Sequence, residues 1–96
     1  MEVLITYDVA TDSREGRRRL RHVAETCVGF GQRVQKSVFE CSLTAVQMEE
    51  LLHRLLSIID EDEDSLRVYR LREPRERFRS IYGLRPEVNF GDPLII

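Results

Sequence analysis

Val3-Leu4-Ile5-Thr6-Tyr7-Asp8 opens the chain as an almost continuously apolar run, rich in strand-forming residues, that ends abruptly in an acid. Such a run predicts a first strand over residues 3–8, buried on both faces. It leads into a polar turn, Thr11-Asp12-Ser13, and then into an Arg-rich segment that reads as a helix. A carboxylate at the carboxyl end of a buried strand stands where ligands and metals bind in open α/β sheets. Arginines on the next element carry the charge that holds a phosphate. Asp8 is therefore the first candidate site residue. An Asp after a strand serves equally as a turn or cap residue, so this constellation does not decide the chemistry alone.

The 96 residues suffice for one hydrophobic core and not for two, which predicts a single domain over 1–96. A hydrophobic fraction of 42% beside 33% charged residues is ordinary for a globular domain. No stretch approaches the ~18 apolar residues of a membrane span. Glu2 precedes the first strand where a secretory signal would carry a basic segment and then an apolar one, so a cytoplasmic location is expected. Cys27 and Cys41 fall on apolar faces without metal-ligand spacing and are expected as reduced core residues.

A net charge of −2 does not mark a nucleic-acid binder, but the distribution of charge is informative. Arg supplies all but one of the 15 basic residues, Lys36 being the exception. Arginines cluster at Arg14, Arg17, Arg18, Arg19 and Arg21, and again from Arg67 to Arg79. Arg suits bidentate phosphate contacts, although a GC-rich genome produces the same bias. The acids concentrate at Asp60-Glu61-Asp62-Glu63-Asp64. Five consecutive acids cannot all face one ion, so this run reads as a solvated turn between a helix and a strand.

The remaining elements follow from periodicity. Asp12 with Glu15 forms a capping-box signal, and Leu20, Val23, Ala24 and Cys27 make the apolar stripe of a first helix that Gly29 and Gly31 stop. Residues 32–43 are extended, but Val34 and Val38 fall on the opposite parity from Phe39, Cys41 and Leu43. That phase break predicts either two short strands joined by a tight turn or one bulged strand. Thr44 with Gln47 caps a second helix with the stripe Met48, Leu51, Leu52, Leu55 and Ile59. Leu66–Leu71 is the last long strand, and a partly helical charged segment follows Pro74. The order β-α-β-β-α-β predicts an α+β, ferredoxin-like fold with a core of about 1–72 and an extension of about 73–96. Helices then cover one sheet face, and the other requires a partner. A homodimer is expected, with Leu94, Ile95 and Ile96 docking on the neighbour and adding an edge strand to its sheet.

Asp8 is the best-placed acid for a metal. Mg²⁺ keeps several waters and takes only one or two carboxylates, so a pair of Asp8 side chains across a dimer axis makes a better site than one. Such an ion lowers the pKa of its bound water and polarises a phosphate oxygen. Arg17, Arg19 and Arg33 are candidate phosphate contacts, and Ser37 is a candidate hydrogen-bond donor to phosphate. Phe39 reads most simply as core and alternatively as a base-stacking residue. Tyr7 either directs its hydroxyl toward the site or packs in the sheet. His22 and His53 lack ligand spacing and are expected to face solvent. No Gly-rich phosphate loop, Ser/His/Asp arrangement or dinucleotide fingerprint is recognisable.

The strand Leu4-Ile5-Thr6-Tyr7-Asp8-Val9, the helix start Gly16-Arg17-Arg18-Arg19-Leu20 and the segment Gln32-Arg33-Val34-Gln35-Lys36-Ser37-Val38-Phe39-Glu40 together resemble the CRISPR-associated protein 2 family. Asp64-Ser65-Leu66-Arg67-Val68-Tyr69 and the tail Asp92-Pro93-Leu94-Ile95-Ile96 extend the resemblance over essentially the whole chain. It implies a ferredoxin-like homodimer with facing aspartates, described as a metal-dependent endonuclease using Mg²⁺ or Mn²⁺. It also implies a non-catalytic role, bridging the CRISPR-associated protein 1 integrase on DNA during spacer acquisition. By resemblance Asp8 is the catalytic metal ligand, and Arg17, Arg33 and Phe39 lie near the active site. Nuclease and scaffold remain the two leading readings, with RNA or DNA as the nucleic acid. An RNA-binding or toxin-like ribonuclease module is a third, because a fold does not fix a function.

Overall fold

The structure, a computed structural model, describes residues 1–84. Its elements are β1 (Glu2–Asp8), α1 (Arg14–Val28), β2 (Gln32–Gln35), β3 (Val38–Ser42), α2 (Ala45–Ile58), β4 (Ser65–Leu71) and the single turn α3 (Arg75–Phe78). The four strands form one sheet in the order β2-β3-β1-β4. Every neighbouring pair is antiparallel. This is an α+β architecture, as the order of periodic segments predicts. Leu94, Ile95 and Ile96, expected to dock on a partner, lie outside the described residues.

β1 is central, with β3 on one edge and β4 on the other. Ile5 faces Phe39 in β3 and Val68 in β4, and Val3 faces Cys41 and Arg70. Residues opposite one another share a face, so Val3, Ile5 and Tyr7 join Phe39 and Cys41 on one side. There they meet Val23 and Cys27 of α1 and Leu51 and Leu55 of α2 in the core. The expectation that β1 is buried on both faces is corrected here. Val3, Ile5 and Tyr7 are buried, whereas Leu4 and Thr6 are half-buried and Asp8 is exposed. The reason is architectural: both long helices pack on one face, so an apolar residue such as Leu4 lies on a side they do not cover.

The helix stripes follow their spacing except at Leu52, which is half-buried and not among the residues of the core cluster or those packed against it. Val23 and Cys27 are fully buried, and Leu20 and Ala24 pack against the core. In α2, Leu51 and Leu55 are fully buried, while Met48 and Ile59 are partly so. The capping box of α2 is present, with Thr44 Oγ1 accepting from Gln47 N at 3.1 Å and Thr44 N donating to Gln47 Oε1 at 2.9 Å. The cap of α1 differs from the Asp12–Glu15 expectation. Ser13 is the N-cap, its hydroxyl oxygen accepting from Gly16 N at 3.0 Å, so the helix starts one residue later. Gly16 is needed for close approach: a Cβ there would lie 1.9 Å from the carbonyl oxygen of Ala10.

Of the two readings of the phase break in residues 32–43, the structure realises two short strands, with an irregularity in the first. Two strands are joined by a turn at Lys36 and Ser37, and the β2–β3 register shifts between Arg33 and Gln35. Val34, next to the core-face residue Arg33, keeps the parity away from the core and is 42% exposed. After β4, Arg75 and Arg79 reach Glu40, at 3.9 and 2.6 Å, and Arg75 also reaches Glu2 at 3.6 Å. Glu2 and Glu40 have the parity opposite to the core, so these ion pairs lie on the side away from α1 and α2.

The acidic run is not wholly a solvated turn, because Asp64 has a fully buried side chain. Its Oδ2 accepts from Arg19 Nε at 2.8 Å and from Asp60 N at 2.9 Å. Its Oδ1 accepts from Ala10 N at 3.0 Å and from Arg19 Nη2 at 3.3 Å. A buried carboxylate is tolerated only when it is paired and hydrogen-bonded in this way. Burial alone would raise the Asp64 carboxyl, but the Arg19 guanidinium and the backbone donors of Asp60 and Ala10 outweigh it and hold it below its ordinary value.

Two predictions follow from this packing. Gly16→Ala forces the Ala10 carbonyl away from the helix start and is expected to destabilise the chain by about 1–3 kcal/mol, the range of overpacking, read as a lowered Tm. Because Asp64 is depressed in the folded state, its stabilising contribution is present above its unfolded pKa of about 3.9 and lost as pH falls through the lower folded value. Acid titration of Asp64→Asn is therefore expected to show a smaller stability loss below about pH 4 than the parent chain, measured by urea unfolding at stepped pH.

Candidate functional site

Asp8 owes its position to parity. With Val3, Ile5 and Tyr7 committed to the core, the alternation of a strand sends Asp8 to the opposite side at the carboxyl end of β1. It is exposed and lies opposite Ser65 of β4. Thr6 and its partner Arg67 are the next pair on that face, followed by Leu4 and Tyr69. Arg67 Nη1 donates to the Tyr69 hydroxyl at 3.4 Å. Arg67 was one member of a charge cluster in the sequence; only the β1–β4 register brings it to the face of Asp8.

The hairpin turn between β2 and β3 stands beside the same strand end. Tyr7 N donates to the Ser37 carbonyl at 3.2 Å, and the Tyr7 hydroxyl donates to the Lys36 carbonyl at 3.5 Å. Ser37 lies in the hairpin turn and stands beside the strand end through its backbone. Of the two readings of Tyr7, the structure realises packing: the ring is buried and stacks on Phe39 with centroids 6.3 Å apart. The Arg33 guanidinium lies 5.2 Å from the Phe39 ring centroid, within cation–π range. Burial pushes the Tyr7 hydroxyl above its ordinary pKa, and its hydrogen bond with Arg33 opposes that rise.

Of the two readings of Phe39, the structure realises core and not base stacking. It is fully buried between Tyr7, Arg33 and the helices, and so has no free face on which a base could stack. Its sequence alternation with Cys41 and Leu43 was the core signal.

The arginines divide into distinct environments. Arg17 is exposed, with Nη1 donating to the Thr11 carbonyl at 3.3 Å, which leaves it beside the loop that follows β1. Arg19 is only 15% exposed in its side chain and is engaged by Asp64 and by Glu63 at 3.4 Å. Its guanidinium is thus directed to protein carboxylates, which corrects its reading as a phosphate contact. Sequence reasoning missed Asp64 because the five acids around it look alike; the available signal was its place immediately before an apolar strand. His22 and His53 are exposed, as their positions predict.

Cys27 and Cys41 are buried free thiols. Burial, reinforced by their mutual proximity, pushes Cys27 up to about 12. Burial and the nearby Glu2 and Glu40 carboxylates push Cys41 up to about 11. Neither is a reactive thiolate at neutral pH. Among the described residues no group of three or more His, Cys, Asp or Glu side chains is gathered for a metal ion. Nor is any described helix long and apolar enough to cross a membrane. Asp8 is therefore an exposed carboxylate at this strand end, with Arg67 on the same face and Arg17 beside the loop that follows β1.

Comparison with known proteins identifies the family. Residues 1–78 match the family described as CRISPR associated protein Cas2. A protein of Moorella thermoacetica named CRISPR-associated endoribonuclease Cas2 1 is 55% identical over the full length of both chains. One from Halalkalibacterium halodurans, named CRISPR-associated endonuclease Cas2, is 50% identical over 99% of each. The crystal structure of Streptococcus pyogenes Cas2 at pH 6.5 superposes with a TM-score of 0.76 at 53% identity, covering 86% of this chain and all of that one. From β1 through α3, then, the chain belongs to the CRISPR associated protein Cas2 family.

Proposed function

We propose that this protein is a metal-dependent endonuclease acting on RNA or DNA in CRISPR spacer acquisition, working as a ferredoxin-like homodimer in the cytoplasm. The observation that carries the reading is the exposed Asp8 at the end of the central strand, on the sheet face that α1 and α2 leave uncovered. The strand order β2-β3-β1-β4 around two helices supports the ferredoxin-like description. The names of the relatives, endoribonuclease and endonuclease, support the reaction class.

A hard divalent ion fits this chain only under one condition. A single carboxylate is a thin ligand set, but Mg²⁺ or Mn²⁺ keeps most of its waters and takes one or two carboxylates. Asp8 from each of two copies would supply that pair. When bound, such an ion supplies an acidified water and charge neutralisation at the phosphate. Arg17 is proposed to hold and orient the phosphodiester by charge-assisted hydrogen bonds, whereas Arg33, paired with Phe39, lies on the core face, opposite to that of Asp8. The Tyr7–Phe39–Arg33 stack keeps the hairpin turn against the strand end.

A second reading has its own support. That no group of three or more His, Cys, Asp or Glu side chains is gathered among the described residues favours a non-catalytic scaffold that bridges the CRISPR-associated protein 1 integrase on incoming DNA. Asp8→Asn separates the two, because it retains size and removes the charge. The expected outcome is loss of Mg²⁺- or Mn²⁺-dependent cleavage of RNA and duplex DNA, with spacer integration by the integrase retained. Cleavage that persists in the purified variant removes Asp8 from the mechanism. Salt dependence tests the phosphate contacts. Arg17→Ala is expected to reduce the slope of log affinity against log salt by about 0.9 on duplex DNA, one counterion-releasing contact. Arg19→Ala, which removes a partner of Asp64, is expected to leave that slope unchanged.

A further inference from the structure

Asp64 sits where three parts of the chain meet. It immediately precedes Ser65, the cross-strand partner of Asp8. Its Oδ1 accepts the backbone N–H of Ala10, two residues beyond Asp8, at 3.0 Å. Its Oδ2 accepts from Arg19 on α1 at 2.8 Å and from Asp60 N in the preceding turn at 2.9 Å. The side chain is fully buried, so water does not compete for these three contacts. β1 thus leaves the sheet with its first turn tied to a fixed carboxylate. That carboxylate is in turn clamped to the helix carrying Arg17.

We infer that Asp64 is a positioning residue: by holding Ala10 N–H and Arg19 together it sets where the exposed carboxylate of Asp8 stands relative to Arg17 and β4. The inference rests on the nuclease reading for its effect on rate, and on geometry alone for its effect on the strand end. Arg19 acts in the same unit, orienting Asp64. The Ala10 carbonyl, against which Gly16 closes, keeps the loop from relaxing on its other side.

The test compares the wild-type chain with Asp64→Ala by amide hydrogen exchange and by steady-state cleavage with Mn²⁺. The Ala10 amide is expected to exchange at least about tenfold faster, a local opening, while the helix amides of Val23 and Leu51 keep their protection. kcat is expected to fall by about tenfold to a hundredfold, the cost of a small misplacement of a reacting group. KM stays unchanged, because Arg17 remains. A residue that merely stabilised the fold would release Val23 and Leu51 as well.

The double variant Arg19→Leu/Asp64→Ala removes the guanidinium left without its partner. It takes the place of Asp64→Ala where the single variant does not fold. An unchanged Ala10 exchange rate overturns the inference, as does a released Ala10 with unaltered kcat. If the wild-type chain makes no cut that Asp8→Asn abolishes, the nuclease reading fails. The role of Asp64 then stands on faster Ala10 exchange together with a displaced Asp8 amide resonance, and falls if either is absent.

Discussion

The alternation of β1 is the constraint from which the rest of this molecule follows. A strand presents successive side chains to opposite faces. Burial of Val3, Ile5 and Tyr7 against α1 and α2 therefore forces Glu2, Leu4, Thr6 and Asp8 to the other side. A shift of one residue would bury Asp8 and expose Ile5. The apolar energy of the core thus holds an exposed acid in place at the end of the most enclosed strand. The strand exit just beyond it is fixed separately, by the contacts of Asp64 with Ala10 and Arg19.

Two polar clusters complete the frame at opposite ends of the sheet. At the amino end of β1, Glu2 and Glu40 receive Arg75 and Arg79 from the segment after β4. At the carboxyl end, buried Asp64 collects donors from α1, the loop after β1 and its own turn. The first cluster is partly exposed and weakened by solvent. The second is dry in its carboxylate, and a satisfied buried network is rigid where an incomplete one is costly. The contrast matches what each end has to do: one fastens a peripheral turn, the other fixes a strand exit bearing a chemically competent group.

A lone carboxylate with arginines nearby is spare equipment for phosphodiester chemistry. The endonuclease and scaffold readings share the same demand on the fold, namely a negatively charged residue and positive side chains held at one end of a rigid sheet. They differ in whether a second copy supplies the missing ligand. The uncovered sheet face, with Leu4 half-buried and Tyr69 45% exposed, is consistent with a protein that completes itself by association.

Much of the fold was legible in the sequence because periodicity reports burial directly. The stripes Leu20-Val23-Ala24-Cys27 and Met48-Leu51-Leu55 named the helix faces. The Thr44–Gln47 pair named a cap, and the parity break around Gln35 and Ser37 named an irregular hairpin. Asp8 was legible as the acid that ends an apolar strand. What the sequence could not display is which like residues differ in environment. Asp64 among five acids, Arg19 among five neighbouring arginines and Phe39 between stacking and core were separated only by contacts among residues distant along the chain. One-sided burial of β1 was likewise invisible, since Leu4 and Thr6 suit a strand covered on either face. Local pattern determines which segments are helix or strand and where their apolar sides lie, because those depend on residues a few positions apart. Tertiary structure alone decides which charges are buried, paired or left for a ligand, because that depends on what the packed neighbours bring to them.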